Sequence, residues 1–233
     1  MDAEQAHRGG PRRPGGGRRR TVNGHGGEPT ASDAAIPADS AALADSAALA
    51  DSAALADSAA LAEITAKQHI HDAVMRYCRG IDRLDMTAVR SAYHADGVDH
   101  HTGFDGPVEG FIEWVGPLLR TLDGTRHEIS NHLAQVSGDR AVAESYGVAR
   151  HWGAHRAMNF TTGLRYVDYF ERRDGTWAIV ERFAVREWNR YEGPPADDPS
   201  AARVIRIEHG AGDGPAGARD ATDPVYRLLQ RLE

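Results

Sequence analysis

The chain has almost no lysine, a single cysteine and no long apolar run. Of its 27 basic residues only Lys67 is a lysine, and the other 26 are arginine. That bias reads as the composition of a GC-rich genome and not as a phosphate-binding device. The formal charge of −7 excludes an extended nucleic-acid surface, which needs clustered excess base. Cys78 has no partner for an internal disulfide, which permits a cytoplasmic home, and it reads as a small buried hydrophobe. No apolar stretch approaches the about 18 residues a membrane span needs. The cluster Arg18-Arg19-Arg20 is followed by Thr21-Val22-Asn23-Gly24, with no apolar core of an export signal. Gly-x-Ser-x-Gly, a dinucleotide fingerprint, a phosphate loop and zinc-type His or Cys spacings are all missing.

Aromatic residues are missing too from residues 1–62, whereas Trp114, Trp152, Trp177 and Trp188 all fall between 63 and 191. A segment without large apolar side chains cannot offset its ordering entropy, so 1–62 is expected to be a disordered tail. Within it Ala-Asp-Ser-Ala-Ala-Leu occurs four times from Ala38 to Leu61. Six residues at about 100° each turn the leucine by about 240° per repeat, so Leu43, Leu49, Leu55 and Leu61 make no stripe. A tandem duplication tolerated in a tether explains this, with a weak partner-binding helix as the alternative. The folded unit is then 63–191, of common domain size. Residues 192–233 read as a flexible tail with a short helix from Pro224, carrying Val225, Leu228, Leu229 and Leu232 on one side, which could dock on the domain or on a neighbouring subunit.

In the domain, Ile70, Val74, Tyr77 and Ile81 recur at i, i+4, i+7 and i+11, the apolar face of a helix. Asp82 adjoins that face, and Asp85 can cap a second short helix burying Met86, Val89 and Tyr93. Asp96 to Phe104 reads as a short strand and turn. Pro107 starts a third helix with Phe111, Trp114, Val115, Leu118 and Leu122 on one face, interrupted at Gly116-Pro117. From there the pattern alternates as strands near 126–136, 140–152, 157–171 and 176–188. Their turns are Ser137-Gly138-Asp139, Gly153 to Arg156, and the hairpin signal Arg172-Arg173-Asp174-Gly175. Three helices before an antiparallel meander predict an α+β domain with helices on one face of the sheet.

Chemistry gathers in a few places. Alternation places His127, Ile129 and Asn131 on one face of the first long strand, with Glu128, Ser130 and His132 on the other. A carboxylate beside His127 would fix its tautomer and stabilise its cation. Tyr77 would need a hydrogen-bond partner when buried, which a pocket supplies. Arg182, after the apolar run Ala178-Ile179-Val180, could hold a substrate oxygen through its planar fork. A metal site assembled from His100, His101, His127, His132, His151 and His155 is disfavoured. The spacing is wrong, and His100 and His101 point to opposite faces.

Three segments, Tyr77-Cys78-Arg79-Gly80-Ile81-Asp82, His127-x-x-x-Asn131 and Tyr169 to Trp177, resemble SnoaL-like domains of the nuclear transport factor 2-like superfamily. The branch they resemble contains hexachlorocyclohexane dehydrochlorinase, scytalone dehydratase and bile acid 7α-dehydratase. The resemblance covers about 63–191 and neither tail. It implies a cone-shaped curved sheet around an apolar cavity, in homo-oligomers (dimer or trimer) that pack through the sheet. It also implies a dyad of Asp82 and His127, a pocket tyrosine at Tyr77 and a last-strand arginine at Arg182. Trp114, Leu118, Leu122, Thr162 and Tyr166 would line the pocket, with Asn131 among the substrate contacts. The further Tyr, His and Ser/Asn groups that a scytalone-type enzyme places around a water have no full match here. The expected activity is cofactor-independent acid/base chemistry on a small apolar molecule, as a dehydratase-type lyase or isomerase. A polyketide cyclase, an epoxide hydrolase, or a ligand-binding or assembly module without catalysis are the alternatives. A binding module would need no close Asp82–His127 contact.

Overall fold

The computed structural model describes residues 38–153, 159–192, 207–209 and 214–233. The first 37 residues, most of the expected turn at Gly153 to Arg156, and His155 lie outside the described residues. Two units are distinguished, Met1–Ala48 and Leu49–Glu233, and every residue that builds the site belongs to the second.

Helix α1 spans Ala38–Arg83. Its last turns bury the expected stripe, with Ile70 and Val74 at 0% exposure and Tyr77 and Ile81 close to it, joined by Ala66, Ala73 and Cys78. The expectation of disorder up to residue 62 is corrected over 38–61, which are helical. Ala and Leu are good helix formers, and the packed turns further on have already met the cost of nucleation, so the helix propagates backwards cheaply. Leu43, Leu49, Leu55 and Leu61 are nonetheless all exposed, in keeping with their rotation around the axis.

Helix α2 (Met86–Arg90) is capped by Asp85, whose carboxylate accepts from the Ala88 amide at 2.9 Å. Strands β1 (Tyr93–His101) and β2 (Phe104–Pro107) then form a hairpin before α3 (Val108–Leu119). The expected break at Gly116-Pro117 does not occur. Pro117 sits in the last turn of α3, where its missing N–H removes one bond just before the helix ends anyway. Leu122 lies beyond α3, in the turn before the next strand.

Strands β3 (Gly124–Ser137), β4 (Arg140–Trp152), β5 (Phe160–Arg173) and β6 (Thr176–Tyr191) make the antiparallel meander. The β5–β6 loop is Asp174-Gly175, both at positive φ (50° and 77°), the two-residue turn whose twist matches the strands it joins. The sheet order is β2-β1-β6-β5-β4-β3. It is mixed and not wholly antiparallel, because β1 runs parallel to β6. A three-residue strand, β7 (Ile207–His209), adds to β6. The result is an α+β cone: a curved sheet whose inner face packs on α1 and α3 through Tyr77, Phe111, Tyr166 and Phe170.

The outer face is covered as well, over part of its area. Helix α4 (Pro224–Leu229) lays Leu228, fully buried, with Val225 and Leu229 against Val142, Val167, Tyr169, Phe183 and Val185. Residues 214–233 are therefore docked on the chain's own sheet, which corrects the expected flexible tail over that range. Part of the face that the resemblance assigns to subunit packing is thus occupied by the chain itself.

Candidate active site

Asp82 stands in the last turn of α1, one residue past the buried Ile81, so the helix stripe aims it at the cone interior. His127 comes to it from the start of β3. Asp82 Oδ1 lies 2.7 Å from His127 Nδ1, and Asp82 Oδ2 accepts from the His127 backbone N–H at 2.9 Å. An ionised carboxylate only accepts, so Nδ1 carries the proton and Nε2 is the nitrogen left for chemistry. Both groups are shielded, with side chains 18% and 7% exposed. The two bonds fix the ring's tautomer and its position relative to the strand.

His127 opens onto a cavity of about 360 Å³ under α3. The expected wall is present: Tyr77, Trp114, Leu118, Leu122, Thr162 and Tyr166 all line it. Tyr77 packs edge-on to Tyr166 at 5.5 Å and stacks near Phe111 at 6.2 Å. Burial, followed by the field of Asp99, holds its phenol well above the ordinary 10, so it is a hydrogen-bond donor and never a base. Burial, followed by the neighbouring Tyr77, likewise holds the Tyr166 phenol well above its ordinary value.

Two expected contacts are not made. Arg182 is completely buried and does not line the cavity. It forms two parallel bonds of 2.7 Å to Asp168, and its guanidinium lies 4.1 Å from the ring centres of both Tyr77 and Tyr166. Burial lifts the Asp168 carboxyl while Arg182 opposes that lift, and the two-pronged geometry keeps the pair ionic. Arg182 thus stands behind the tyrosine wall and not in front of it. Asn131 is exposed, because β3 is bulged: Ile129 pairs with Gly147 but His132 with Ser145, three steps against two. One extra residue reverses the facing of all that follows. His132 therefore turns inward, bonded to the buried Ser145 at 2.8 Å and edge-on to His71, while Asn131 turns out.

The wall also carries polar groups that were not expected as pocket residues, Arg186, His151, Asn189 and His101 among them. His151 stacks on Phe160 at 4.2 Å and stands edge-on to His127 at 6.1 Å. Burial and the neighbouring His127 push it down to about 4, so it stays neutral beside the dyad. Asn189 bonds Thr162 at 2.7 Å. His101 lines the same cavity, stacked on Phe111, with Nδ1 bonded to the fully buried Asp99. Asp99 and His101 are two apart on β1, hence on one face, a signal present in the sequence. Among the described residues no group of three or more His, Cys, Asp or Glu could hold a metal ion, and no helix is long and apolar enough to cross a membrane.

The SnoaL-like domain family matches residues 62–183, over half of the chain, and the chain belongs to that family. Solved structures share the fold at low identity. The Kfla4162 protein from Kribbella flavida aligns at 18% identity and a TM-score of 0.51, covering 55% of this chain and 94% of its own. A type 2 hexachlorocyclohexane dehydrochlorinase gives 18% and 0.51 over 58% and 98%. The type 3 enzyme from Novosphingobium barchaimii gives 18% and 0.50 over 59% and 95%. No curated protein matches the chain.

Proposed function

We propose that this protein is a cofactor-independent acid/base enzyme, a dehydratase-type lyase or an isomerase, acting on a small, largely apolar, cyclic molecule. The observation that carries this reading is the 2.7 Å contact between Asp82 and His127 at the edge of an aromatic cavity. His127 Nε2 takes a proton from a carbon activated by a neighbouring carbonyl, and Asp82 holds the ring and offsets the charge of the imidazolium that forms. The Tyr77 phenol keeps its proton, which it donates to the oxygen on which negative charge develops, and the Arg182 guanidinium lies 4.1 Å from the centre of its ring. Arg182 contributes through Tyr77 and not by touching substrate. A binding module would have no use for a carboxylate that grips both the ring and the backbone amide of one histidine, so the contact favours the enzyme over the binding alternative. Neighbours of the same fold include a dehydrochlorinase, which is in keeping with proton abstraction followed by loss of a leaving group.

The test is exchange of the α-C–H of cyclic ketones in D₂O, followed by NMR. Wild-type protein should catalyse it. His127→Ala should lower the rate by about 10²–10⁴-fold, and Asp82→Asn by a smaller factor within that range. A chelator should leave the rate as it was. Exchange that survives His127→Ala would remove the base from this mechanism.

A further inference from the structure

The cavity holds a second imidazole gripped by a carboxylate, and the mechanism above leaves it unused. His101 enters the wall from β1, at the side of Phe111 and Tyr166, while His127 enters from β3 beside His151. Its Nδ1 bonds Asp99, which is fully buried and also takes the Tyr93 hydroxyl at 2.5 Å. With Nδ1 committed to Asp99, Nε2 is the nitrogen that can serve the cavity. Asp99, Asp168 and Arg182 are all sealed from solvent, and Arg182 spends both of its bonds to carboxylate on Asp168. Asp99 faces the His101 ring and the Tyr93 hydroxyl instead.

We infer that His101, held by Asp99, is the acid that completes the reaction begun by His127, protonating a leaving oxygen as its bond to carbon breaks. This rests on His127 being the base, and it adds the leaving group. A hydroxyl leaves poorly as hydroxide and needs a proton in the transition state, whereas a stabilised anion does not. In the step, the C–H pair becomes the new C=C bond and its proton goes to His127 Nε2. The C–O bond breaks, and the leaving oxygen takes the Nε2 proton of protonated His101 and departs as water. His127 ends protonated and His101 neutral, and proton transfer through solvent restores both. No oxidant, reductant or further reactant is involved.

A matched pair of substrates tests this: 3-hydroxycyclohexanone, which must lose water, and 3-(4-nitrophenoxy)cyclohexanone, which loses a stabilised phenoxide. Both give cyclohexenone. His101→Gln keeps a donor for Asp99, and His101→Phe keeps the stacked ring on Phe111, so the two variants control for each other's packing faults. In each, the ratio of water loss to phenoxide loss should fall by about 10²-fold, while His127→Ala should abolish both eliminations. Equal losses in the His101 variants, or no loss, would overturn the acid role. So would a wild type that expels phenoxide but not water, leaving the base reading intact. A wild type that does neither and also fails to exchange the α-proton would sink the base and the acid together.

Discussion

The two faces of one sheet each bury an arginine, and the two arginines do opposite jobs. Arg182 on β6 is sealed at the inner face with Asp168, a strand neighbour only 14 residues away, under Tyr77 and Tyr166. Arg165 on β5 faces outward and bonds Glu187 and Glu144 at 2.5 Å and Asp223 at 2.7 Å, the last being 58 residues distant. Burial alone would raise the Asp223 carboxyl. Arg165 and the amides of Ala218 and Val225 more than offset it, leaving it below the ordinary range. Asp223 also caps α4, so one carboxylate both starts the helix and fastens it to the sheet. The inner pair thus stiffens a site from within the sheet, while the outer cluster recruits a distant segment. The same kind of side chain, buried on both faces, is a support in one place and a clasp in the other.

The comparison breaks first at Asp168. Replacing it with Ala strands the Arg182 charge in a sealed interior, and loss of one partner of a buried pair costs about 3–5 kcal/mol. Chemical unfolding should show that loss, and a value near zero would mean that water reaches Arg182. On the outer face Leu228→Ala should cost about 2–4 kcal/mol, by lost burial and the cavity left between α4 and the sheet. Protease digestion of the native protein should at the same time begin near residue 214, since a loosened α4 exposes its tether. The smallest effect is a pH dependence at the inner face. His151 lies at about 4 in the fold against an ordinary 6.5. Between those values the unfolded chain binds a proton that the fold refuses, so this contribution is intact above pH 6.5, declines on acidification and is gone below about 4. From pH 7 to 5 the decline should be about 2 kcal/mol, and His151→Phe, which keeps the stack on Phe160, should abolish it. An unchanged slope in that variant would place the effect elsewhere.

The helix stripe of α1, the cap at Asp85, the Asp174-Gly175 hairpin and the meander were legible because each depends on neighbours in sequence. The places of Asp82 at a helix end and His127 at a strand start were legible as well, whereas their pairing was only what the family resemblance implied. What failed did so for specific reasons. Asn131 was misplaced by a bulge, since alternation carries an implicit assumption of unbroken pairing, and only the partner strand reveals an added residue. Arg182 sits on a strand whose pattern says nothing of Asp168 beside it, so a reach into the cavity and a seal beneath it look alike in sequence. The pair Asp99 and His101 was visible as a same-face spacing, yet its meaning needed Phe111 and Tyr166, which arrive from elsewhere in the chain.

By itself the sequence determined the class of fold, the family and the identity of the helix and strand that carry Asp82 and His127, because periodicity, capping and turn chemistry are local properties. It also determined that the repeat leucines make no stripe, which follows from their spacing alone. The tertiary structure decided which polar groups share the cavity, which are sealed behind it, and that α4 lies on the outer face of its own sheet. Those outcomes depend on strand register and on charge pairing between distant segments, where one slipped residue or one buried partner reverses which side of the sheet a side chain serves.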